Sequence, residues 1–229
     1  MKLGLLRRAP SAYDDAFMAK MASAYLEQTA WTRLRLAAVR DLVEPTHGDR
    51  ILDLGSAGGA VSHFLSTFGC EVVGLDTEQR AVDLATSLFP SLRFEVGDAT
   101  SLLFADASFD KVVAADLVEH LDDGRLAALL REARRVLVPR GTLSVYTPNE
   151  RHPIEWLKER DLVLARNETH IGLRDGPQLE AALAEAGFEL ERSDWRPSFY
   201  PGLRTLERLG AGRLQPLRYR LCLCGRKPA

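Results

Sequence analysis

Nine residues, Ile51-Leu52-Asp53-Leu54-Gly55-Ser56-Ala57-Gly58-Gly59, constrain this chain more than any other stretch. An apolar run carrying one acid and followed at once by glycines and small residues reads as a buried strand passing through a tight turn into a helix. Three glycines stand among residues 55–59. Glycine permits positive φ and removes the Cβ that would hold a ligand off the main chain, while the first N–H groups of the next helix favour electron-rich groups. The stretch predicts a place where something approaches the backbone closely.

Around it, helical and strand periodicities alternate. Strand 50–54 is followed by a helix over about 58–68, strand 71–75, helix 78–88, strands 92–96 and 111–115, helix 123–137 and strand 142–147. Such alternation predicts an α/β fold of parallel βαβ units with helices on both faces of the sheet. Thr77 is the expected cap of helix 78–88, and Asp122 or Asp123 that of the helix after strand four. Two helices precede strand one, 12–29 (Ala16, Phe17, Met21, Ala24, Tyr25) and 30–43 (Trp31, Leu34, Leu36, Val39, Leu42), the second ended by Glu44-Pro45-Thr46-His47-Gly48-Asp49.

After strand five, residues 149–174 form a Pro- and His-containing excursion with one short apolar-periodic piece (Ile154, Trp156, Leu157, Leu162, Leu164). Long insertions at the carboxyl end of a strand are where a substrate lid sits. Asp175-Gly176-Pro177-Gln178 then starts a helix that ends before Gly187, and strands 188–195 and 218–224 are joined by a segment with helical spacing at Leu203, Leu206 and Leu209.

A chain of 229 residues, 46% apolar, predicts one domain over 1–229. No run approaches about eighteen apolar residues and the apolar segment at the N-terminus is too short for a signal peptide, so a cytoplasmic protein is expected. Cys70, Cys222 and Cys224 agree, the last two being spaced for one face of a strand and not as a CxxC pair. Net charge is −2, but from Arg196 onward eight Lys/Arg face one acid. Such a tail is a solvated basic hairpin, or a surface for an anionic substrate or for weak contact with membrane headgroups.

Further signals turn the glycine turn into a site. Asp76 ends the second strand, 23 residues after Asp53, where a carboxylate accepts from both hydroxyls of a ribose. Gly97-Asp98-Ala99 follows the third strand and offers an acceptor side chain and a close backbone donor, suited to the amino edge of adenine and its neighbouring ring nitrogen. In this order on alternating strands they specify an adenosine.

Here the chain resembles, over roughly residues 30–225, the class I S-adenosylmethionine-dependent methyltransferases. Asp53-Leu54-Gly55-Ser56-Ala57-Gly58-Gly59 is similar to their D-x-G-x-G-x-G, with Ala57 at the middle glycine. The resemblance implies a Rossmann-like, doubly wound seven-stranded sheet whose last strand, about 218–225, is antiparallel. It also implies N-terminal helices over 1–45 as a cap, 149–174 as a lid, and S-adenosylmethionine as cofactor. Among such enzymes the chain is most similar to O-methyltransferases of ubiquinone precursors. Arg35, eighteen residues before Asp53, stands where they have an arginine touching the cofactor; Asp116-Leu117-Val118-Glu119-His120 resembles their E-x-x-E-H; Thr147-Pro148-Asn149 resembles the end of their fifth strand, and Thr169-His170 a Thr-His of their lid. The implied cofactor contacts are Arg35, Asp53, Gly55, Ser56, Ala57, Gly59, Asp76, Thr77, Asp98, Ala99 and Ala115.

A sulfonium methyl is already activated, so transfer is an in-line displacement needing alignment and, for a hydroxyl, a base with a pKa near the working pH. Histidine suits that role: His120 and His170 are the candidates, His152 the third. Asp116, Glu119 and His120 would share a face on a helical turn and could hold a divalent ion, although two acids and one histidine are a lean ligand set and no metal is expected. Trp31, Trp156 and Trp195 could line an aromatic pocket, and Tyr13 could close over the cofactor. The function expected is methylation of a small molecule, most directly at a hydroxyl.

Two other readings fit less well. A nicotinamide-dependent oxidoreductase would need glycine at Ala57 and Ala60 to complete G-x-G-x-x-G. A non-catalytic methyltransferase-like protein would keep the glycines and acids without turnover. Nucleic acid is not an expected partner, because there is no aromatic-interleaved basic groove and Thr147-Pro148-Asn149 is not an N/D-P-P-Y/F/W motif.

Overall fold

The structure is a computed structural model, and it describes residues 23, 25–159, 169–198, 201–210 and 214–229. The expected helix 12–29, with Tyr13, and the middle of the expected lid, 160–168, fall largely or wholly outside those residues. In chain order the elements are α1 (Ala30–Val43), β1 (Arg50–Leu54), α2 (Ala60–Ser66), β2 (Glu71–Asp76), α3 (Gln79–Leu88), β3 (Arg93–Val96), β4 (Phe109–Ala115), a single 3-10 turn (Val118–His120), α4 (Asp123–Val136), β5 (Leu137–Pro148), α5 (Pro153–Glu159), α6 (Gly176–Glu185), β6 (Glu189–Arg196), α7 (Pro201–Gly210), a second 3-10 turn (Gln215–Leu217) and β7 (Arg220–Arg226).

The strands form one sheet in the order β3-β2-β1-β4-β5-β7-β6. Pairing is parallel from β3 to β5, and β7 is antiparallel to both β5 and β6. This is the doubly wound seven-stranded arrangement expected from the sequence. Because strand side chains alternate, each strand serves two cores. Leu52, Leu54, Val112, Leu143 and Leu223 pack with Leu129 and Leu130 of α4 and Leu183 of α6. Ile51, Val113, Cys222 and Cys224 pack on the other face with Val39 and Leu42 of α1 and Leu65 of α2. The two cysteines thus share a face as their spacing predicts, and both are free thiols.

Local signals placed most boundaries. Asp122 caps α4, its side chain accepting from the Arg125 N–H, and Asp175 with Gln178 forms a full capping box on α6. Thr77 is not a cap: α3 begins after Glu78, and the Asp76 carboxylate accepts the Glu78 N–H at 3.0 Å, so the acid does the work assigned to the threonine. β5 is longer than its apolar core, since Leu137 already pairs with Phe109 before a register shift.

The segment joining β6 to β7 holds an inversion. Leu206 and Leu209 of α7 are 62% and 79% exposed, whereas Glu207 is fully buried. Its Oε1 lies 3.0 Å from His152 Nε2, and its Oε2 accepts from the Ser198 N–H at 2.6 Å. Polar anchoring, not apolar burial, sets this helix. The basic tail is also partly neutralised: Arg196 pairs with Asp41, Arg220 with Asp116 and Arg226 with Glu191. Among the described residues no helix is long and apolar enough to cross a membrane.

Packing is close beneath the glycine turn. A Cβ added to Gly74 of β2 would stand 2.5 Å from Phe94 Cδ1 and 2.9 Å from Ser56 Cβ. Overpacking of this kind costs about 2 kcal/mol, so Gly74→Ala should lower the thermal midpoint by roughly 5 °C in a calorimetric melt. An unchanged midpoint would show that Phe94 moves aside freely.

Candidate active site

β1 delivers its last residue to the carboxyl edge of the sheet, and the turn that follows is bound to β2. The N–H groups of Gly55 and Ser56 both donate to the carbonyl of Leu75, at 2.8 and 2.9 Å. Gly55 and Gly59 have φ of 69° and 79°, and a Cβ on Gly59 would meet Phe94 Cζ at 2.7 Å. Both positions call for glycine. Ala57, at the motif's departure, also holds a positive φ of 46°, and its N–H donates to Asp76 Oδ2 at 2.9 Å. The departure therefore keeps the turn's path at the cost of local strain.

Asp53 faces the opposite side of β1 from Leu52 and is buried, accepting the Ser62 hydroxyl of α2 at 2.6 Å. Burial pushes its carboxyl up to about 6, against the Ser62 hydrogen bond and the Arg35 charge. Asp76 is raised by burial too, while backbone N–H groups of Glu78 and Ala57 oppose the rise. Asp98 lies in a more open place. Its Oδ1 accepts the N–H and hydroxyl of Thr100, and its Oδ2 is 3.1 Å from Arg125 Nη2. Thr77 is exposed; Ala99 is half-buried and Ala115 buried.

At the end of β4 the chain turns sharply, with Asp116 at φ 60° and its N–H donating to the Tyr146 carbonyl. The Asp116 carboxylate is held between two guanidinium groups: Arg35 Nε at 2.7 Å from Oδ2 and Arg220 Nη1 at 2.7 Å from Oδ1. Burial would raise this acid, but Arg220 and Arg35 hold it below the usual carboxylate range. Arg35, which also donates to the Ala115 carbonyl, lies over the Trp31 ring.

Glu119 is buried next to this pair and accepts the Thr147 hydroxyl at 2.9 Å. Burial, and then the neighbouring Asp116 charge, push it up to about 8. His120 Nδ1 is 3.0 Å from the Thr169 carbonyl, and the His120 and His170 rings meet edge-on at 5.0 Å. The segment carrying His170 is held there by the main chain and by one arginine. Gly172 N–H donates to the Glu119 carbonyl, and Arg174, 7% exposed, donates to the carbonyls of Val118, Gly172 and Leu121.

The ligand set Asp116, Glu119 and His120, weighed above as a possible ion site, does not gather as a unit. Asp116 is committed to two arginines, and among the described residues the ligand atoms that come within 4.8 Å of one another are those of Glu119, His120 and His170. His152 is corrected as a base: its Nδ1 accepts the Ile154 N–H and its Nε2 meets Glu207, so both nitrogens are engaged. The three tryptophans lie on three elements, Trp31 beneath Arg35, Trp156 half-exposed on α5 and Trp195 on β6 opposite Leu221.

Residues 51–141 match the family model described as a methyltransferase domain. The chain is 30% identical over 165 residues to a protein of Mycolicibacterium smegmatis named for S-adenosylmethionine-dependent methyl transfer, covering 72% of this chain and 62% of that one. Residues 51–141 are thus a methyltransferase domain, and the chain is similar to S-adenosylmethionine-dependent methyltransferases. The chain is also 33% identical over 131 residues, about half of each chain, to a ubiquinone biosynthesis O-methyltransferase of Azorhizobium caulinodans. In solved structures its fold is similar to a chain of the complex between the Haloferax volcanii Trm112 methyltransferase activator and a methyltransferase, with a TM-score of 0.71, 23% identity, and 96% and 100% of the two chains covered. The chain spans about three fifths of the length of the first of these curated relatives and half of the second.

S-adenosylmethionine is the cofactor of this family, and the turn of this methyltransferase fits it. Each Asp76 oxygen carries one backbone hydrogen bond, and a carboxylate offers about four lone-pair sites, which leaves room for a ribose diol. The Ser56 hydroxyl is buried without a partner, beside a turn whose glycines leave no Cβ in the way. Sequence reasoning missed Ser62, Arg125, Arg174 and Arg220. None carries a motif, and only strand register and loop path bring them to the site.

The buried acid of β1 makes a pH-dependent prediction. A carboxyl with a raised native pKa binds its proton more tightly folded than unfolded, so its ionisation lowers stability as pH rises from near 3.8 to about 6. Asp53→Asn should not show that loss. Denaturant unfolding across this range should see the variant gain on the wild type by on the order of 3 kcal/mol; parallel profiles would mean Asp53 ionises freely.

Proposed function

We propose that this chain transfers the methyl group of S-adenosylmethionine to a hydroxyl oxygen of a small-molecule acceptor, with His120 as general base. The observation that carries the reading is the Nδ1 contact of His120. A carbonyl oxygen accepts only, so the Thr169 carbonyl at 3.0 Å holds the proton on Nδ1 and leaves the Nε2 lone pair for a substrate proton. Burial lowers the His120 pKa, favouring the neutral, proton-accepting ring, and burial and the adjacent His120 take His170 down to about 4.

When bound, the cofactor supplies a sulfonium methyl poised for displacement. The turn at Gly55, Asp76 and Asp98 would hold its nucleoside, and Asp53 and Arg35 lie under the same edge. As the acceptor oxygen takes the methyl and the S–CH3 bond breaks, its proton passes to His120 Nε2, giving a methyl ether and S-adenosylhomocysteine. In this reading residues 1–229 act as one domain, α1 belongs to a cap over the cofactor, and the described residues of 149–174, anchored by Arg174, belong to the lid. The O-methyltransferase name of the Azorhizobium relative supports oxygen as the acceptor atom.

A second reading uses the same residues. Glu119, His120 and His170 gather their ligand atoms within 4.8 Å, a geometry that could hold a divalent cation to polarise the hydroxyl. Treatment with a chelator separates the two: activity insensitive to chelation leaves His120 as base, and loss restored by a divalent ion moves it to a ligand.

Calorimetric titration with S-adenosylhomocysteine comes first. Wild type should bind, and Asp76→Asn should weaken binding at least about tenfold, the loss of a charge-assisted pair. Across an acceptor panel, His120→Asn should lower kcat by about 10²- to 10⁴-fold with little change in cofactor affinity. Cofactor binding with no methyl transfer to any acceptor would instead support a non-catalytic role.

A further inference from the structure

Arg220 is the charged residue of the site that methyl transfer leaves without a task. It is the first residue of β7, in register with Pro148 of β5 and Arg196 of β6, and the antiparallel run of β7 brings it to the carboxyl edge where β1 and β4 end. Ligands of open α/β sheets bind along that edge. Its side chain is 14% exposed, and its guanidinium lies over two rings, 5.6 Å from the centroid of Tyr146 and 5.2 Å from that of Tyr219. The aromatic faces fix the plane of the cation.

Among the described residues, the acid that pairs with it is shared. Asp116 gives one oxygen to Arg220 and the other to Arg35, each at 2.7 Å. Two guanidinium groups thus share one carboxylate. The next acid, Glu119, is turned to the Thr147 hydroxyl and the two histidines. A half-compensated guanidinium with little access to water favours an anion, which it can meet with directed N–H groups.

We propose that Arg220 is the recognition residue for an anionic acceptor, one whose carboxylate pairs with the guanidinium beside Tyr146 and Tyr219. The inference rests on the methyl-transfer reading and names the acceptor class for that site. A neutral isostere would desolvate the guanidinium without pairing it, so discrimination of about 10- to 100-fold is expected.

The test uses matched pairs of hydroxylated acids and their amides (4-hydroxybenzoate with 4-hydroxybenzamide, and the same pairing for hydroxycinnamic and aliphatic hydroxy acids), titrated into the protein saturated with S-adenosylhomocysteine. At least one acid should bind tenfold or more tightly than its amide. Arg220→Gln should abolish the preference while S-adenosylhomocysteine affinity stays within twofold; Arg220→Lys should keep part of it. Should Arg220→Gln fail to fold, judged by circular dichroism, Arg220→Lys, which keeps a charge opposite Asp116 but not the planar fork, takes its place, and an acid-over-amide preference equal to that of wild type then overturns the proposal. Amides binding as well as acids, no acid of the panel binding, or a preference that survives Arg220→Gln would each overturn the proposal. Failure of S-adenosylhomocysteine itself to bind folded wild type would instead overturn the methyl-transfer reading.

Discussion

The carbonyl of Leu75 accepts two consecutive N–H groups, from Gly55 and Ser56, and this small bifurcation ties the first turn to the second strand. Through it the end of β1 and the end of β2 become one unit, with Asp76 beside the turn and bonded to the Ala57 N–H. Glycine at 55 and 59 is required by the same geometry, one by positive φ and the other by positive φ and by Phe94. Gly74 beneath them leaves the space that Phe94 fills. The site is thus a property of close packing between two parallel strands, and its rigidity comes from there.

Charge is arranged around that rigid edge with little slack. Asp53 and Glu119 are pushed toward the neutral form by burial, while Asp116, which is only partly buried, stays ionised between Arg35 and Arg220. The difference is a matter of partners: hydroxyl donors hold Asp53 and Glu119, guanidinium groups hold Asp116. Acids with different partners at one strand edge have different tasks available to them. The same logic removes His152, buried with Glu207, from the chemistry, and leaves His120 with one nitrogen fixed on a carbonyl.

The glycine turn, the acids after the second and third strands, and the alternation of helix and strand were legible because each rests on local chemistry: φ tolerance, period, and cap preference. The caps Asp122 and Asp175 were legible for the same reason, and Thr77 was misread because the helix starts one residue later, after Glu78, whose N–H is bound by Asp76. Other features were not local. The amphipathic spacing of α7 predicts leucines packed inward, yet Glu207 faces in and Leu206 and Leu209 face out, because a buried polar partnership with His152 outweighs the helix pattern.

By itself the sequence determined a doubly wound sheet with a glycine turn and two acids at the ends of its first three strands, since each of those signals lies within a few residues of its own structural consequence. Only the tertiary structure decided what surrounds that site. Arg35, Asp116 and Arg220 are 81 and 104 residues apart along the chain, and they meet because the antiparallel register of β7 brings its first residue to the edge where β4 stops. His120 and His170 meet because Arg174 and the Gly172 N–H fold a later loop over the 3-10 turn after β4. Contacts of that length are set by strand register and loop path, which no spacing in the sequence encodes.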